Sequence, residues 1–344
     1  MICNRLFLVL LLIVSATVGS GAQQPSLFDR LFQEDAVSVT LEVEMDSLLA
    51  GRRTNTYHDG FFTYTDASGQ EQTLDVKTRV RGRFRRTRCG FPPLKLNFDK
   101  DQLRAIGLSE HDKMKLVTHC VDARFTGNVN VLKEYLAYKL YNQLTEESYR
   151  VQLVEVNYVE AGSEKVYLKR YGFLIESTSQ VEERLQAVEC EDCHNLVSDS
   201  FNLVSENRQA LFQYLIGNED WSSRSIRNVK LLQKTDTQEA LIIPYDFDFS
   251  GFVQTDYAIP RLELGVKKVQ DRYFLGYATK HHILEENILL FQSSRTAIIQ
   301  VLENFDYLSK ASRNALVEYV EDFYARLHTL PSVVAEQGRD MAKR

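Results

Sequence analysis

Two hydrophobic periods divide this chain and limit what it can fold into. Val37, Val39, Leu41, Val43 and Met45 alternate with Ser38, Thr40, Glu42 and Glu44. A repeat of two buries one face of a strand. Further strands are expected at 61–64 and 73–84, joined by a turn at 66–69, and at 94–98 and 113–117. Pro92-Pro93 breaks the chain between them. From residue 129 the spacing changes. Val131, Leu132, Tyr135, Leu136, Leu140 and Leu144 recur at intervals of three and four, the stripe of an amphipathic helix. Two strands (151–159 and 165–175), a short helix (180–188), a helix (207–216) and two short strands (226–233 and 240–244) follow. The rest is helical in pattern, over 283–291, 296–305 and 309–328. The order implies an α+β chain, with a β-rich N-terminal lobe over 36–177 and a mostly helical C-terminal lobe over 178–344.

Residues 1–22 have the marks of a signal peptide. Arg5 precedes a short apolar run at 6–14, and Ser20-Gly21-Ala22 forms a small-residue cleavage site. Residues 23–35 are expected to be a leader. Export to the periplasm or cell exterior is the expectation, with no stable membrane span after cleavage. Four cysteines then remain, and an even number in an exported chain permits two disulfides. Cys89–Cys120 and Cys190–Cys193 is the favoured pairing among three. The full chain carries 41 basic and 47 acidic residues, a net charge of −6. That mild acidity argues against general nucleic-acid binding.

The richest stretch for chemistry is Asn218-Glu-Asp-Trp-Ser-Ser-Arg-Ser-Ile-Arg-Asn228, followed by Ile243-Pro-Tyr-Asp-Phe-Asp-Phe-Ser-Gly251. Asp220 follows a helix and Asn228 leads into a strand, so one loop brings them near each other. Asp246 and Asp248 emerge where the apolar run Leu241-Ile242-Ile243 ends, and alternation across Phe247 points both the same way. A hairpin would gather Asp220, Asn228 and Asp246 at one mouth. Phosphoryl transfer uses such a set: one Asp orients a hydroxyl, while an Asn and a later Asp hold Mg²⁺.

On these residues the chain resembles the CotH kinase-like family, secreted or spore-coat relatives of the atypical protein kinases, over roughly 75–255. Arg81-Gly82 with Phe91-Pro-Pro-Leu-Lys-Leu-Asn-Phe98 is similar to its Arg-Gly motif and lysine-bearing strand, and Tyr171-Gly-Phe-Leu-Ile-Glu176 to a further strand. The segment from Leu116 to Asp122 and the helix after it look like its strand–Asp–helix unit. The resemblance implies a two-lobed protein-kinase-like fold and an atypical kinase using ATP with Mg²⁺ or Mn²⁺. Its acceptor would be a protein or small molecule of the cell envelope. It also implies roles: Asp220 catalytic, Asn228 and Asp246 metal ligands with Asp248 assisting, and Lys95 and Arg81 on phosphate. Glu134 would pair with Lys95, and Glu176 would sit near the lobe connection. Lys115 is the rival for Lys95, and Lys133 and Asp122 are rivals for Glu134. The alternative is a catalytically inactive, pseudokinase-like envelope scaffold that holds an anionic partner on an arginine-rich strand.

That strand is read from Lys77, Arg79, Arg81, Arg83 and Arg85, which fall on every second residue and would line one face. Like charges so placed favour an anionic neighbour, though pairing across the sheet with Glu42 and Glu44 would also satisfy them. Cys190-Glu-Asp-Cys193-His194 fits the haem-attachment pattern, but its flanks are polar, and a loop disulfide is preferred to haem or zinc. His281-His282 are adjacent on a helix and face apart. No nucleophile elbow supports a hydrolase.

Overall fold

The computed structural model describes residues 24–342, except 67, 122, 164, 195 and 197–199. The expected signal peptide and Asp122 therefore lie outside the described residues.

Within the expected leader, Ser26 and Asp29 form a reciprocal capping box that starts α1 (Leu27–Leu31). This short helix buries Leu27, Phe28 and Leu31. Then come β1 (Val37–Val43), α2 (Met45–Ala50), β2 (His58–Thr65), β3 (Glu71–Val80) and α3 (Arg85–Arg88). After β4 (Leu94–Phe98), α4 (Lys100–Ala105) and β5 (Lys113–Val117), the long α5 (Arg124–Asn142) precedes the hairpin β6 (Val151–Glu160) and β7 (Val166–Ile175). That hairpin has two free edges. One takes β5 antiparallel, and the other takes β1 parallel. The sheet β1-β2-β3-β4-β5-β7-β6 thereby closes into a barrel, which removes its exposed edges. Leu41, Phe62, Val76, Leu96, Leu116, Val154 and Tyr158 share its core.

The α+β order with a β-rich first half stands, but closure corrects the expected kinase-like fold. An N-terminal lobe of that kind is an open sheet, whereas this one is a seven-stranded barrel.

The second half holds α6 (Thr178–Leu185), β8 (Ala187–Glu189), α7 (Leu203–Ile216), β9 (Val229–Lys234) and β10 (Ala240–Pro244). Three helices follow: α8 (His281–Glu303), α9 (Lys310–Ala325) and α10 (Leu330–Ala342). Strands β8, β9 and β10 make a small separate sheet. The two helices expected between 283 and 305 are one, since no breaker interrupts the stripe. Helix α5 joins the halves: Tyr138 packs on Phe173 of the barrel at 5.5 Å and on Phe247 of the second half at 4.6 Å. Phe247 also meets Phe212 of α7 at 5.6 Å. The bonds Cys89–Cys120 and Cys190–Cys193 are both formed, as expected. The second consumes the thiols that haem or zinc would need.

Candidate functional site

Strand β3 ends at Val80 rather than at residue 84, because Gly82 turns the backbone with φ +91°. The basic row therefore splits. Lys77 and Arg79 stay on the outer face of β3, Arg81 sits just past its end, and Arg85 enters α3 and turns inward. Strand β1 pairs with β2 and β6, so Glu42 and Glu44 do not lie across from the row.

Arg85 is the hub of a buried ion cluster. Its side chain is 7% exposed. One nitrogen, Nη2, donates to Glu134 Oε1 at 2.8 Å and to Asp246 Oδ1 at 2.6 Å, while Nε meets Asp248 Oδ2 at 2.9 Å. A planar guanidinium with several donors suits this task where a lysine would not. Three carboxylates around one cation leave excess negative charge. Burial, only partly opposed by Arg85, pushes Glu134 up to about 8, and burial likewise pushes Asp248 up to about 6. Tyr257 Oη donates to Asp248 Oδ2 at 2.8 Å. The resemblance implied Lys95 as the partner of Glu134; the structure pairs Glu134 with Arg85 instead. Its rival Lys133 donates to the Val253 carbonyl at 3.4 Å.

The loop from α7 supplies the neighbouring wall. Gly217 ends the helix at φ +61°, where an added Cβ would come within 2.3 Å of Tyr319 Oη. Asn228 Nδ2 donates to the Asp220 carbonyl at 2.6 Å and to Asp220 Oδ2 at 2.9 Å. Arg227 Nε stands 3.5 Å from Asp220 Oδ1. Burial raises Asp220, against Arg227, and the Asp246 charge adds to the rise. Tyr245 N–H donates to the Asn228 carbonyl at 3.0 Å, which ties the two segments together. Asn228 and Asp246 have φ of +54° and +65°, backbone states that Asn and Asp tolerate better than other non-glycine residues. The residue types at 228 and 246 therefore have a conformational cause independent of any ligand.

The predicted set thus divides in four. Asp220 and Asn228 touch, and Asp246, Asp248 and Glu134 share Arg85. Lys95 and Arg81 lie on the barrel side, and Glu176 stands apart. It is fully buried at the end of β7, where it accepts from Arg150 Nε and Arg184 Nη2, each at 2.8 Å.

Lys95 belongs to a ladder of cations. Strand register puts Arg79 opposite Lys95 and Lys95 opposite Lys115. The Lys115 ammonium lies 4.8 Å from the Tyr149 ring centre and 5.2 Å from that of Tyr245. Burial first, then the charges of Arg81 and Lys230, lower it to about 7. At its far end the same outer face turns acidic: Lys77 and Asn97 line a groove with Asp59, Asp75, Asp99 and Asp101.

Sequence reasoning placed Arg85 on the wrong face and gave Lys115 second rank. The turn at Gly82 was the available signal for the first. Nothing in the sequence fixed the second, which depends on Tyr149 and Tyr245 converging from distant positions.

Glu134, Asp246 and Asp248 bring ligand oxygens within 4.8 Å of one another, and this buried triad can coordinate a divalent cation. Asp246, 39% exposed in its side chain, is its open corner. The ATP expectation is not supported. The described residues show no nucleotide pocket here, and Arg85 occupies the space between the acids. No family model matches the chain, and no curated protein matches it. With the closed barrel, these findings overturn the CotH resemblance, and with it the phosphotransferase reading and the atypical-kinase activity. Among the described residues no helix is long and apolar enough to cross a membrane.

Proposed function

We propose that this chain is an exported binding module for an anionic partner of the cell envelope, held on the cation ladder Arg79, Lys95 and Lys115 with Arg81 beside it. The observation that carries this is the strand register. It sets three like charges side by side across β3, β4 and β5, an arrangement that costs stability unless an anion joins it. No carboxylate pairs with Lys95 or Lys115 among the ion pairs of the described residues. Tyr149 and Tyr245 give the Lys115 ammonium a partial substitute through their ring faces, which leaves it available to a phosphate, sulfate or carboxylate. The two disulfides favour an oxidising compartment.

A divalent cation is the second element of the proposal. Asp246 and Asp248 with Glu134 would hold it in place of the Arg85 guanidinium, which otherwise lies among their oxygens, and Asn228 and Asp220 stand next to the open corner. Bound there, it supplies positive charge to which an oxygen of the same partner can bind.

Titration with inorganic tripolyphosphate tests the ladder. Lys95→Ala combined with Lys115→Met is expected to weaken binding by about 10²-fold, on the scale of two charge-assisted contacts. Equal affinity for the parent and the double variant would remove the ladder from the binding site.

A further inference from the structure

Asp220 also lines a cavity of about 280 Å³. Phe249, Ile259, Pro260 and Val269 give it apolar wall, and the rest of its lining is charged, from Glu219, Asp220, Glu263, Arg227 and Arg261, apart from Gly217. Glu219 is 8% exposed, and its Oε1 has no hydrogen-bond partner. A buried carboxylate oxygen left unpaired is costly. The nearby cations are committed elsewhere. Arg261 Nε meets Glu263 Oε1 at 2.8 Å, and its Nη1 donates to the Glu219 backbone carbonyl at 3.1 Å. Arg227 turns to Asp220.

The cavity is preformed. Gly251 N–H donates to the Gly217 carbonyl at 2.9 Å, and a Cβ on Gly251 would come within 2.4 Å of the Val269 carbonyl. The volume falls just below the usual range for small-molecule sites, about 300–1,000 Å³, and suits one side chain. Of the three lining carboxylates, Asp220 faces Arg227 and Glu263 faces Arg261, which leaves Glu219 as the one with no ion pair among the described residues. Beside the apolar wall it matches a long aliphatic stem that ends in a positive charge. At the mouth, the lining residue Ile259 and its neighbour Leu262 are 76% and 71% exposed, apolar surface that a free chain leaves in water.

We propose that this cavity receives a lysine or arginine side chain from a polypeptide partner, with the charged tip on Glu219 Oε1 and the flanking residues of the partner resting on Ile259 and Leu262. The site is independent of the cation ladder, so either assignment can fail without the other.

The test uses the whole mature chain. n-Butylammonium is titrated against n-butanol, with the amide shifts of Glu219, Phe249 and Val269 as readout. Then N-acetyl-Leu-Lys-Leu-amide is compared with its norleucine counterpart. The ammonium is expected to saturate those shifts and the alcohol not to. The lysine peptide is expected to bind about tenfold tighter than the norleucine one, the scale of one charged hydrogen bond. Glu219→Gln should erase that preference and keep or raise the thermal midpoint. Ile259→Ser with Leu262→Ser should weaken the peptide but not butylammonium. Equal binding of ammonium and alcohol overturns the site without recourse to any variant. A preference that survives in Glu219→Gln overturns the role of the carboxylate. Peptide affinity no better than that of butylammonium overturns the polypeptide partner.

Discussion

The cation ladder and the Arg85 junction are unbalanced in opposite senses. On the barrel face, Arg79, Lys95 and Lys115 stand in register with no acid between them. At the junction, one arginine serves three carboxylates. Neither region is arranged as a stability-optimised protein would arrange it. The ladder is only half-buried, and its most buried member, Lys115, leans on two ring faces, so its mismatch is tolerable and can wait for a ligand. The junction is buried, so its charges must be met from within, and Arg85 meets only part of the demand. Burial decides which imbalance becomes structure and which remains a binding surface.

The sharpest way to break this comparison is to remove the hub. Arg85→Leu strands three acids and is expected to cost about 3–5 kcal/mol, the range for breaking a buried ion pair. Guanidinium denaturation would show it, and a loss under about 1 kcal/mol would mean the junction is not the structural centre inferred here. Next in size is cation binding by the over-supplied acids. Mn²⁺ at a hundred times its dissociation constant should add about 2.7 kcal/mol to stability. Asp246→Asn should sharply reduce the gain by removing the charge of the open-corner ligand, and an unchanged melting shift in that variant would remove Asp246 from the ligand set.

A pH series sharpens the ladder side. Lys115 is lowered from its ordinary 10.5 to about 7, by burial above all. Between those values the unfolded chain binds the extra proton, so this group makes stability rise with pH from about 7 to 10.5. Lys115→Met should flatten that part of the profile. Tripolyphosphate should raise the lysine pKa, which ¹³Cε NMR reads directly, and an unmoved titration would place the anion elsewhere. The smallest expected effect is from Arg79→Ala, within about 0.5 kcal/mol on stability because the side chain lies at the surface. It should nonetheless weaken tripolyphosphate binding. A large loss of stability would show that its contact with the Tyr57 ring, 5.3 Å away, is structural.

Local pattern made much of the fold legible. The period-two runs became β1 and β3, and the three-and-four stripe became α5 over Arg124–Asn142. The cysteine number allowed three pairings, and the structure forms the favoured one. Closure of the barrel was not, because the parallel pairing of β1 with β6 joins segments more than a hundred residues apart and leaves no local mark. The ladder was half visible. Lys95 and Lys115 sit on adjacent strands, but a register slip of one residue would have put them on opposite faces. Glu219 was invisible as a candidate, because an acid beside Asp220 reads as solvated loop until its burial is known.

Sequence alone determined the principal strands and helices and the polar loops at 218–228 and 246–250. Backbone propensity and side-chain period act over a few residues and are written there directly. The tertiary structure alone decided that Arg85 turns inward onto acids from α5 and from the loop after β10, and that Lys95 and Lys115 find no ion-pair partner among the described residues. Charge compensation depends on distance in space and on access to water. Both are settled only when the barrel closes and α5 packs between its wall and Phe247.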